Sequence, residues 1–354
     1  MYSESDIDGA VEAGALGARE AAAFRDFVAR SRSTEIVDEE HFRLLTGFND
    51  IFVSIAAVLM LLAVGWIGNA LRIGAPEGGP SPAAGLLVAA TAWGLAEYFT
   101  RERRMALPSI LLLLAFAGGT FVGLGTLLVG RIDPEHSRSG ALLLSGVAAV
   151  TGGAVWLHWR RFHVPITVAA GAATVAGLAL LLALAAFPAI GDRITIVILL
   201  CGLGVFGLAM KWDISDPVRL TRRSDVAFWL HLLAAPMIVH PIFSLLGLLH
   251  GSADPARAGL VILLYLIIGL IALAIDRRAL MVSALAYVLY AISSLIEQAG
   301  AVDLAFGITA LIIGSALLLL SAFWHVARRF VVAQLPDLMR NWLPQVDRSL
   351  PTRA

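Results

Sequence analysis

Ten apolar stretches constrain this chain more than any other feature of it. They are Ile51–Leu71, Pro82–Phe99, Met105–Val129, Ser139–Leu157, Val164–Pro188, Ile194–Met210, Val226–Leu249, Ala258–Ile275, Leu280–Ile296 and Leu304–Trp324. A membrane-spanning helix needs roughly 20 mostly apolar residues. In lipid every backbone N–H and C=O must find a partner inside the protein, so runs of this length have to be helical. The fold class expected is therefore all-α, a polytopic transmembrane helix bundle of about ten spans. Composition agrees: 59% of the residues are apolar and only 15% charged, against about a quarter charged in an ordinary soluble domain. Three regions follow: a cytoplasmic N-terminal hairpin with an acidic linker (1–46), the bundle (47–325) and an amphipathic cytoplasmic or interfacial tail (326–354).

The basic residues set the orientation. With the N-terminus in the cytoplasm, the tails and the loops after the even-numbered spans hold 21 of the 26 Lys and Arg, and the opposite loops hold 5. Cytoplasmic loops carry such an excess, and one span more or fewer would largely erase it. Both termini are accordingly expected inside. The N-terminus lacks a basic segment followed by an early apolar run, so the first span is expected to serve as its own insertion signal. One lysine, Lys211, stands against 25 arginines, a bias that fits a GC-rich bacterial genome and hence a bacterial inner membrane. The net charge is zero, and nothing points to nucleic acid.

The cytoplasmic turns share a pattern. Arg-Arg pairs stand at 103/104, 160/161, 222/223, 277/278 and 328/329, spaced 51 to 62 residues apart. Serial duplication of helical hairpins would produce this spacing. Selection for positive charge at every inside turn would produce it equally well.

Both ends have a character of their own. Residues 6–31 read as a helical hairpin, with Asp6 or Asp8 as N-cap, a turn at Gly14-Ala-Leu-Gly17, and one apolar face carrying Phe24, Phe27 and Val28. Leu335, Leu338, Met339, Trp342 and Leu343 recur at helical spacing, the pattern of a helix lying in the interfacial plane. The hairpin (Ile7-Asp-Gly-Ala-Val-Glu-Ala-Gly-Ala-Leu16, then Ala18-Arg-Glu-Ala-Ala-Ala-Phe24) resembles the lead-in of uncharacterised bacterial polytopic membrane proteins of the domain-of-unknown-function class. Asp38–Val53 and Trp324-His-Val-Ala-Arg-Arg329 look like the same kind of protein. That resemblance implies a layout and no activity.

Ionisable and polar groups at membrane depth are the natural candidates for function. The seventh span carries His231, Pro236, His240 and Pro241; each proline deletes a backbone hydrogen bond and tends to kink the helix. His231 and His240 are nine residues apart, so they point about 180° away from each other on a straight helix, and a shared metal is not expected. In the ninth span Ser283, Tyr287, Tyr290, Ser294 and Glu297 fall on one face, either lining a path or serving as polar glue between helices. Glu97, near the inner end of the second span, offers a proton or cation site, or else pairs with Arg101 or Arg104. Gly119 and Gly123, and the glycines at 202, 204 and 207, mark close helix packing.

No Walker, HExxH or GxSxG motif appears, and the lone Cys201 gives no zinc spacing, so neither metal nor cofactor is expected. The function read from these features is translocation of a small solute or a lipid along a path lined by the seventh and ninth spans. The alternative is a structural or regulatory membrane protein that engages a protein partner through its cytoplasmic ends. Membrane lipids are partners in either case. A lipid-modifying enzyme has the least support, because no nucleophile–base pair is present.

Overall fold

The computed structural model describes residues 4–24, 48–75, 79–128, 137–217, 219, 221–248, 255–298, 305–336, 340 and 343–344. Thirteen α-helices, and no strand, occur among the described residues. The chain divides into two units, Met1–Leu44 and Leu45–Ala354.

In the first unit two short helices, α1 (Glu4–Glu12) and α2 (residues 18–24), are joined by a turn. Gly14 supplies the turn with φ +70°, and the Gly17 N–H donates to Glu20 Oε2 at 2.8 Å, one half of a capping box at the start of α2. Asp6 and Asp8 lie within α1 rather than at its N-cap, because the helix begins earlier than expected. Residues 25–31, the last seven of the expected hairpin, lie outside the described residues.

The second unit is the bundle: α3 (Phe48–Ala70), α4 (Pro82–Ala96), α5 (Ala106–Thr126), α6 (Ser137–Phe162), α7 (Ile166–Ala186), α8 (Ile194–Ile214), α9 (Arg222–Leu245), α10 (Pro255–Ile275), α11 (Ala279–Gln298), α12 (Ala305–Ala322) and α13 (Trp324–Ala333). Seven of these are long and apolar enough to cross a membrane, and α12 with α13, bent by 75°, makes an eighth candidate. Each of the ten apolar stretches overlaps one of the helices α3 to α12. The chain is a multi-pass membrane protein. Many large side chains are correspondingly exposed on the outside of the bundle, among them Leu62, Trp66, Leu200 and Leu318.

Three boundaries differ from expectation. The second stretch ends as α-helix at Ala96 and continues as a π-helix, Glu97–Glu102. α8 runs on to Ile214 and α9 begins at Arg222, so the long loop expected between them shrinks to seven residues and its charges move onto helix ends. α13 is a separate helix that sequence periodicity did not reveal. Of the amphipathic tail expected at 335–343, residues 337–339, 341 and 342 lie outside the described residues.

Short connections join α4 to α5, α6 to α7, α8 to α9 and α10 to α11, and these hairpins hold the most extensive helix contacts. Each turn contains one non-glycine residue in the left-handed region: Arg104 (φ 52°), His163 (54°), Arg219 (56°) and Asp276 (59°). An L-residue there costs roughly 1–2 kcal/mol, and the bonds of the turn hold it in place. At Asp276 the following Arg277 N–H returns to the Ala272 carbonyl at 2.9 Å, a Schellman closure. All four turns, with their arginines, lie at the same end of the bundle, called here the arginine-rich end. At the opposite end Arg138 caps α7 by donating to the Ala185 and Ala186 carbonyls (2.6 and 3.0 Å).

Small residues set the closest approaches. A Cβ on Gly85 of α4 would fall 2.4 Å from the Gly123 nitrogen and 2.6 Å from the Gly119 carbonyl of α5. The Gly119/Gly123 pair is thus a packing motif whose partner is a third glycine, as small-residue interfaces in membranes require. Gly202 does the same between α8 and α9, whereas Gly204 and Gly207 have open space. α9 is the most enclosed of the candidate spans and packs on α7, α8 and α11.

Candidate functional site

The two histidines of α9 take opposite roles. His240 stands on the outer surface of the bundle, where its Nδ1 is hydrogen-bonded to the Tyr287 hydroxyl of α11 at 2.7 Å. Tyr287 stacks on Phe243 with ring centroids 4.3 Å apart. Ser283 is half-buried, and Tyr290 is 64% exposed one turn beyond Tyr287. Ser294 and Glu297 continue along α11, with side chains outside the described residues.

Pro236 and Pro241 lie inside α9, the first exposed and the second buried. Pro241 has no N–H to offer the Met237 carbonyl. That oxygen lies against Gly202 of α8, where a Cβ would come within 2.8 Å of it. The glycine therefore lets α8 shelter a carbonyl that the proline leaves free. Gly202→Ala should push α8 off α9 and lower the melting temperature in detergent, whereas Gly204→Ala, facing open space, should not.

His231 is fully buried and belongs to a charged cluster at the arginine-rich end. Its Nε2 meets Asp213 Oδ2 at 2.8 Å. Asp213, in the last turn of α8, also accepts from Arg277 Nη2 at 2.5 Å and lies 3.9 Å from Arg219. Arg277 donates further to the Ser224 carbonyl of α9. Arg219 reaches Asp276 Oδ2 at 2.9 Å and the Ile275 carbonyl at 3.1 Å. Asp276 Oδ1 accepts from the indole of Trp324 at 2.7 Å and lies 3.7 Å from Arg328 of α13. Asp216 accepts from both the N–H and the hydroxyl of Thr221, whose side chain caps α9.

Two aspartates, Asp213 and Asp276, thus face three arginines, Arg219, Arg277 and Arg328. Buried charges are tolerated only when paired and hydrogen-bonded, and this network meets that condition by drawing on α8, α9, the α10–α11 turn and α13 together. Its longest-range contacts join residues 48 to 64 positions apart. Only His231 among them was a candidate from sequence. The available signal was that one more turn of helix beyond Met210 carries Asp213 onto the end of α8.

A second polar contact ties α4 to α6. Arg161 meets Glu97 through two bonds of 2.8 and 2.9 Å, and Arg101 joins at 3.3 Å. The expected Arg101 pairing is present, and Arg161 is an additional partner. Glu97 is one-third exposed, so solvent and headgroups screen the pair. Glu97→Gln should leave the melting temperature nearly unchanged, as a thermal scan in detergent would show. Beside it His158, buried among Trp93, Phe116 and Phe162, lies 3.4 Å from the Thr167 hydroxyl.

Among the described residues no group of three or more His, Cys, Asp or Glu could hold a metal ion. No protein-family model matches the chain, and no curated protein or solved structure is detectably similar to it.

Proposed function

We propose that the chain translocates an amphiphile with a polar headgroup across a bacterial inner membrane, crossing it ten times with both termini in the cytoplasm. The observation that carries this reading is the His240–Tyr287 pair, open on the outside of the bundle beside the two prolines of α9. Polar side chains at membrane depth usually face the protein interior. A polar strip on the lipid-facing surface suits a headgroup that slides along the protein while its acyl chains stay in the bilayer. The same exposure favours a lipid over a small water-soluble solute, since a solute would need an enclosed path. The orientation rests on the distribution of arginine. The bacterial setting rests on composition and on the resemblance to uncharacterised bacterial membrane proteins.

The test is lipid movement in proteoliposomes. With NBD-labelled phosphatidylethanolamine or phosphatidylglycerol, dithionite should bleach nearly the whole pool when the protein is present, and only the outer leaflet when it is absent. His240→Ala and Tyr287→Phe should slow the process about tenfold, the effect of ~1.4 kcal/mol on a barrier. Wild-type protein that leaves the inner leaflet protected for both lipids would sink the proposal. A reporter fused after Ala354 should read cytoplasmic, and a periplasmic signal would overturn the even number of spans. The closed charged cluster favours a second reading, a structural anchor engaging partners through its cytoplasmic ends; on that reading no lipid moves, yet the cluster still governs stability.

A further inference from the structure

We infer that α13 is an interfacial helix whose outer face is seated in the headgroup–acyl boundary of the membrane. α12 has 18 residues, and at 1.5 Å per residue it rises about 27 Å, close to the roughly 30 Å hydrocarbon thickness. Its C-terminal end therefore reaches the edge of the apolar layer. The chain then turns by 75°, so α13 runs nearly along the membrane plane.

The two faces of α13 match that placement. Trp324, Arg328 and Val332, at i, i+4 and i+8, are buried against the bundle. They are held there by the Trp324–Asp276 hydrogen bond, by Arg278 stacked over the Trp324 ring at 4.8 Å, and by Arg328 donating to the Pro344 carbonyl at 2.6 Å. On the outer face Val326 and Phe330 are 57% and 70% exposed, one turn apart, and Phe323 at the bend is 59% exposed. Arg329, also exposed, stands beside Phe330 with a stem long enough to bring its charge to phosphate level. An apolar strip edged by a cation, on a helix at the end of a span, fits the bilayer surface itself. This inference is independent of the translocation reading and holds for a purely structural protein as well.

The experiment is spin-label accessibility in nanodiscs of phosphatidylcholine and phosphatidylglycerol, using the full chain on a Cys201→Ala background. Labels go on one at a time through Val326→Cys, Phe330→Cys and Arg329→Cys, with Leu318→Cys of α12 as the lipid-embedded reference. Labels at 326 and 330 are expected to collide with oxygen several-fold more than with a water-soluble nickel chelate, as at 318, and the label at 329 is expected to show the opposite preference. Preference for the nickel chelate at 326 and 330 would place α13 in water and overturn the inference. Exclusion of both reagents there would also overturn it, showing that a second copy or another protein covers the face. If the 330 label prevents folding, Phe323→Cys takes its place with the same expectation.

Discussion

Asp213→Ala should be the most damaging single substitution in the bundle, costing about 3–5 kcal/mol, the range seen when one partner of a buried ion pair is removed. The carboxylate accepts from Arg277 and His231 and faces Arg219. Without it two guanidinium groups and an imidazole face each other in a space that admits almost no water; Asp213 and Arg277 are each 2% exposed. Four segments are fastened there, so α8, α9, the α10–α11 turn and α13 should loosen together. Thermal unfolding in detergent, with hydrogen exchange across residues 211–231 and 272–280, would read both the loss and its spread. Arg277→Met should also destabilise, but the double variant should lose less than the two singles combined, because contacting residues are not additive. Additive losses would show that the two side chains stabilise the fold separately.

Gly85→Ala is the second large effect. The added methyl would lie 2.4 to 2.7 Å from backbone atoms of Gly119 and Gly123, and backbone cannot swing away as a side-chain tip can. α4 and α5 would have to separate along their whole contact, for which overpacking costs of about 1–3 kcal/mol are the usual scale. Gly118→Ala is the matched control, on the same helix as Gly119 but facing open space. There alanine should be neutral or stabilising by up to about 1 kcal/mol, since glycine is the poorer helix former. Equal losses from the two variants in a detergent melt would remove the argument for three-glycine packing.

Much of this architecture was legible in one dimension because lipid imposes one-dimensional rules. Each apolar run had to become a helix, since no other segment satisfies its own backbone in a bilayer. The Gly119/Gly123 spacing announced a close approach. The nine-residue interval between His231 and His240 foretold that they face apart, and one is buried while the other is exposed. Of the two readings of Glu97, a proton or cation site or a pair with Arg101 or Arg104, the contact present is the one with Arg101.

Local patterns did not show which partners would meet. Arg219 and Arg277 looked like topogenic charge because each sits beside an apolar run at the expected cytoplasmic side, and nothing in the local pattern singled out Asp213 or Asp276. Their burial depends on α8 and α9 extending past their apolar stretches and on α13 folding back over the turn at Asp276. The partner of His240 lies 47 residues away on α11, and that of the Gly119/Gly123 motif is Gly85 on α4. Hydropathy along the chain therefore determined where the apolar helices lie, because transfer into lipid is a property of each segment by itself. Which charges were neutralised, which histidine was enclosed and which face was left to the membrane were decided only when the helices packed, because pairing energies depend on distances between segments far apart in sequence.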